Sequence, residues 1–186
     1  MAKSYPSKHN NSVLWNMSDV ATAVSNNDWC SGHRLIHGGG NVNPGAVTNI
    51  MDYISVVSLG DSADFGDLSV ARKVLGAVAS FTRACFGGGV TPSKNDTIDY
   101  ITIASTGDAA DFGNLSVSRG YVEGMGNSSV RGIYTNGSTV PAYVNTIDYI
   151  TIATLGNATD FGDSSVTGTN HEAFSSPTRG VAGGGF

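Results

Sequence analysis

Arg34, Arg83, Arg131 and Arg179 recur 49, 48 and 48 residues apart, and Asp52, Asp99 and Asp148 recur 47 and 49 apart. Each Asp lies between an apolar residue and a Tyr, as in Ile98-Asp99-Tyr100. A carboxylate buried in such a setting needs a partner, and a guanidinium satisfies one with paired hydrogen bonds. The spacing therefore predicts a structural ion-pair ladder built from the four arginines and the three aspartates. A repeated functional site is the competing reading, but active sites are seldom copied identically from unit to unit.

A second acidic pattern is Asp61, Asp64 and Asp67, at spacing three, which could offer oxygens to calcium. Asn114 and Asn157 replace acids in the later copies, and the alternating order and closing Glu of an EF-hand are absent. Turn chemistry, with Asp and Asn side chains bonding nearby backbone, is the preferred reading, and no metal or other cofactor is expected. The Gly-Gly-Gly runs lack the Lys-Ser/Thr that a phosphate-binding loop requires. Neither Gly-x-Ser-x-Gly nor His-Glu-x-x-His occurs, and Glu123 and Glu172 are the only glutamates, so no catalytic residue is nominated and the chain is expected not to be an enzyme. The histidines (His9, His33, His37, His171) are scattered, and Cys30 and Cys85 read as free thiols, with a disulfide between them as the alternative.

The elements that would position these residues are strands of a repeat. Thr97-Ile98-Asp99-Tyr100-Ile101-Thr102-Ile103-Ala104 returns as Thr146 to Ala153, and more loosely as Ile50 to Val57. β-branched residues dominate, no Gly or Pro interrupts, and apolar residues fall on both faces, as in a strand buried on both sides. Arg34 to Gly40, Arg83 to Gly89 and Arg179 to Gly185 each read as a short strand entering a glycine turn, with Arg131 to Gly137 as a degenerate copy. Variable loops follow, 41–49, 90–96 and 138–145, expected to gather on one face where recognition residues such as Asn43, Asn95, Tyr143 and Asn145 would point at a ligand. A third block, with Asp64-Phe65-Gly66, Asp111-Phe112-Gly113 and Asp160-Phe161-Gly162, predicts a turn, an anchoring Phe and a further short strand. Two copies then reach an Arg, at Arg72 and Arg119, where the third has Gly168.

The expected fold is all-β: a propeller-like array of four-stranded antiparallel blades, about three and a half units of roughly 48 residues. Residues 1–12 read as an N-terminal arm, and residues 13–186 as a single repeat domain with units near 19–67, 68–114 and 115–163 and a partial unit at 164–186. That partial unit lacks its Ile-Asp-Tyr strand. The Val13–Met17 strand could close a four-bladed ring, two chains could share a seven-bladed ring, or a neighbouring chain could supply the strand. Twenty-five glycines and 13% charged residues suit short strands and tight turns. A net charge of −5 argues against nucleic-acid binding. No apolar run of membrane-spanning length and no secretory signal is visible, so no membrane insertion is expected.

The glycine-ending strand, the Ile-Asp-Tyr strand and the Arg before the next unit together resemble a kelch-like blade, with Phe65, Phe112 and Phe161 where kelch blades place a Trp. More specifically, Thr-Arg-Gly-Val-x-Gly-Gly-Gly, Asn-Thr-Ile-Asp-Tyr-Ile-Thr-Ile-Ala and Asp-Phe-Gly-Asp are similar to repeats of virion and tail-fibre-like proteins of marine bacteriophages and other aquatic viruses. The resemblance covers roughly residues 32–186. It implies a virion location and a structural or interaction role as decoration, tail or fibre component, with other virion proteins or copies of the chain as partners. A glycan-binding propeller module for host-surface recognition is the alternative.

Overall fold

The computed structural model describes residues 34–126, 130–176 and 178–185. The expected arm, the Val13–Met17 strand and Cys30 lie outside them. Every regular element among the described residues is a strand, and every pairing is antiparallel. The first sheet runs β1 (Arg34–Val42), β2 (Ala46–Ser55), β3 (Ala63–Asp67). The second runs β4 (Gly76–Ala79), β5 (Arg83–Gly87), β8 (Thr97–Thr102), β9 (Ala110–Asn114), with a small hairpin of β6 (Val90–Thr91) and β7 (Ser93–Lys94) in the loop before β8. The third runs β10 (Glu123–Met125), β11 (Arg131–Thr135), β12 (Thr146–Thr151), β13 (Thr159–Asp163). A fourth sheet has two strands, β14 (His171–Ser175) and β15 (Gly180–Gly184). The compact unit that holds all of these spans Gly32–Phe186.

The Asp-Phe-Gly block departs from expectation in one respect: the strand runs through the Phe rather than starting after it. Met51 faces Gly66 and Asp52 faces Asp64, which leaves Phe65 bulged out of the ladder; Ile98/Asp99 and Ile147/Asp148 show the same slip. Glycine permits it, since Gly66, Gly113 and Gly162 have φ of 137°, 145° and 129°. Each bulged Phe meets the Tyr of its own Ile-Asp-Tyr strand edge to face, at centroid distances of 5.9, 6.1 and 6.0 Å.

Strand alternation then decides the packing. On β5 and β8, Ala84, Phe86, Ile101 and the following Ile103 join Met51, Phe65 and Leu68 of the first unit in one apolar cluster. Their neighbours Cys85 and Ile98 point the other way, into a second cluster with Val122, Tyr134, Ile150 and Ile152 of the third unit. The middle sheet is thus buried on both faces, which explains its Ile-rich pattern without polar alternation. Fully burying each such side chain contributes about 1.5–3 kcal/mol, so the units are held together chiefly by these two inter-unit cores.

Candidate functional site

Two of the three repeated aspartates, Asp99 and Asp148, are buried and paired, but not with the arginines expected. Asp99 and Asp148 are fully buried, and their carboxylates lie 3.1 Å from Arg72 and Arg119, in the segments that follow β3 and β9 and bond back toward the sheet just completed, the Arg72 amide to the Thr48 carbonyl and the Arg119 amide to the Asn95 carbonyl. The same carboxylates accept the Ser69 amide at 3.1 Å and hydroxyl at 2.6 Å, and the Ser116 amide at 3.0 Å and hydroxyl at 2.6 Å. Burial pulls the Arg72 and Arg119 guanidinium groups below their ordinary value, and the adjoining carboxylates oppose that shift. The ladder therefore exists between units, and its cations are the arginines that close the third block.

Arg34, Arg83 and Arg131 were excluded from it by the pleat. Arg83 faces Thr102 across the ladder and Phe86 faces Asp99, so Arg83 and Asp99 project from opposite sides of one sheet. The arginine instead shares a face with the Tyr, and Arg34, Arg83 and Arg131 lie over Tyr53, Tyr100 and Tyr149 at 4.5, 4.5 and 4.6 Å. Arg34 and Arg83 also donate to the carbonyls of Ile103 and Ile152 in the next unit, at 2.9 and 2.7 Å. Arg179 is exposed in the turn before β15, and Asp52 is half-buried on β2.

The acidic turns are inter-unit joints as well. Asp108 Oδ1 accepts the Asp67 amide at 3.0 Å, and Asn157 Oδ1 accepts the Asn114 amide at 3.1 Å. Only an acceptor oxygen is needed, so Asp and Asn alternate freely there. Asp61 and Asp64 are exposed, and among the described residues no three His, Cys, Asp or Glu side chains gather as a metal site.

The recognition-loop candidates sit in corresponding loops, with different availability. Asn95 Oδ1 accepts the Thr97 amide at 2.6 Å, fastening its own loop, and Asn145 Nδ2 donates to the Ser164 carbonyl at 3.2 Å, tying its loop to the segment after β13. Asn43 and Tyr143 are exposed.

A cavity of about 320 Å³ is bounded by residues from all four sheets, among them Arg34, Ile36, Val78, Phe86, Met125 and Ala173. Its lining is largely apolar and presents no acid–base pair. Glu123, on β10, has its carboxyl pushed up to about 7 by burial and, second, by the charge of Glu172 on β14. Burial pushes the Cys85 thiol up to about 12, against the opposing charge of Arg83, and that residue is a free thiol.

No protein-family profile matches the chain, and no curated protein matches it. Among the described residues no helix is long and apolar enough to cross a membrane.

Proposed function

We propose that the chain is a non-enzymatic structural module of a viral particle, a decoration, tail or fibre component whose units stack as kelch-like blades of a propeller-like ring. One observation carries this reading: the polar residues that recur join one unit to the next. Arg72 and Arg119 grip Asp99 and Asp148, Arg34 and Arg83 reach the next unit's carbonyls, and Asp108 and Asn157 cap the previous unit's strand. A repeat whose chemistry is used up in stacking units is a scaffold. The adjacency of β4, β10 and β14, the first strands of successive sheets, supports a ring built around them. The viral assignment rests on the resemblance of the repeat.

The test is to measure the mass of the intact chain by light scattering over a range of concentrations, and to probe a glycan panel with the same preparation. The proposal expects association beyond the 19.1 kDa monomer and no saturable glycan binding. A strict monomer that binds one glycan saturably, and loses it on Tyr143→Ala, would replace the structural role with recognition.

A further inference from the structure

Each buried ion pair leaves most of its guanidinium unbonded. Arg72 Nη2 lies 3.0 Å from the Phe86 carbonyl and 3.1 Å from Asp99 Oδ2, and Arg119 Nη2 lies 3.3 Å from the Tyr134 carbonyl and 3.1 Å from Asp148 Oδ2. Nε and Nη1 of both arginines are buried and have no hydrogen-bond partner among the described residues. Both side chains are enclosed, at 0% exposure, so bulk solvent does not reach these donors. A buried donor on a charged group is costly to leave unbonded, and native interiors rarely hold one. Here the same donors are left over twice, at equivalent places in two copies of the repeat.

The acceptor side of each pair also has capacity to spare. Asp99 Oδ2 takes the Ser69 amide and Arg72, whereas Oδ1 takes the Ser69 hydroxyl alone among the described residues. Asp148 repeats this with Ser116 and Arg119. An ionised carboxylate oxygen accepts two donors. Gly89 keeps side-chain atoms away from the Arg72 stem: a Cβ there would stand 3.3 Å from Arg72 Cδ and 3.0 Å from the Lys73 carbonyl oxygen, at a φ of 110° that disfavours any side chain.

We propose that each of these two joints binds an internal water molecule, which accepts a hydrogen bond from Nε or Nη1 of Arg72 or Arg119. Charge decides the class of ligand. Arginine and aspartate already cancel, so an anion drawn to the guanidinium would leave a net buried negative charge, which is strongly unfavourable. A cation would meet the guanidinium's own charge. The ligand must therefore be neutral, small enough for an enclosed site, and able to accept from nitrogen while donating to oxygen. Water meets all three conditions, and internal waters characteristically sit on otherwise unbonded polar groups. Gly168, at the corresponding place in the third copy, supplies none of these donors, so the site is confined to the first two. The joints between units are thus partly wet, beside apolar clusters that are dry. This holds whether or not the chain belongs to a viral particle.

Crystals of the intact chain grown in sodium chloride and in sodium bromide test it. The expected result is a discrete density peak roughly 2.7–3.2 Å from Nε or Nη1 of Arg72 and another at Arg119, the same in both salts and without anomalous signal from bromide. A bromide signal at either site identifies an anion and overturns the inference. Bonding of Nε and Nη1 to protein acceptors, or the lack of a peak at either arginine, overturns it as well. In Arg119→Met, shown to be folded by circular dichroism, the peak at residue 119 is expected to vanish while the peak at Arg72 stays. A peak that survives this substitution is held by other groups, which refutes the role of the guanidinium. If that variant does not fold, the comparison of the two salts on the unaltered chain decides alone.

Discussion

Asp99→Ala and Arg72→Met remove opposite ends of one buried ion pair, and the structure predicts that they are unequal. Without Asp99, Arg72 stays fully buried with its Nη2 donating to the Phe86 carbonyl at 3.0 Å, while Nε and Nη1 have no hydrogen-bond partner among the described residues. An uncompensated buried cation costs about 3–5 kcal/mol. Without Arg72, Asp99 keeps two donors from Ser69, at 2.6 and 3.1 Å, and the methionine fills much of the space left by the guanidinium stem. That variant should lose about 1.5–3 kcal/mol, the range for a hydrogen bond to a charged group. The double variant, with no charge left to bury, should lie closer to Arg72→Met than to the sum of the two. Urea unfolding followed by far-UV circular dichroism measures all three, and at an m-value near 2 kcal/mol/M the Asp99→Ala midpoint falls by roughly 2 M. If Arg72→Met proves as damaging as Asp99→Ala, or if the two losses add, the assignment of the penalty to a stranded guanidinium is wrong.

Two further outcomes follow from the geometry. Glu123 has a folded-state pKa raised from 4.5 to about 7, so the native chain holds a proton that the unfolded chain releases in that interval; stability should fall as pH rises from about 4.5 to 7, and Glu123→Gln should flatten the fall in thermal midpoints across that window. Gly162→Ala meets no described atom within 4 Å and should lose only the roughly 1–2 kcal/mol of a positive φ. Gly66→Ala also drives a Cβ to 2.4 Å from the Gly107 carbonyl oxygen, adding about 1–3 kcal/mol of overpacking; equal melting temperatures for the two variants would refute the covering turn.

The repeat itself was legible because strand chemistry is local. β-branched runs such as Thr97 to Ile103, closed by Gly-rich turns, form strands whichever neighbours they meet, and their copying sets the number and order of sheets. The replacement of Arg by Gly168 could also be read from the letters alone. Partner choice could not. Arg83 and Asp99 lie on neighbouring strands, yet an alternation of period two sends them to opposite faces of the sheet. Arg72, outside any strand, reaches Asp99 only because the next unit folds against it. The same holds for Phe161: its sequence context matches that of Phe65 and Phe112, yet it is exposed where they are buried, and among the described residues no turn covers it. Sequence determined the strands, since backbone preference acts over a few residues. Tertiary structure decided which charges are paired and which aromatic rings are covered, because burial depends on what packs above each face.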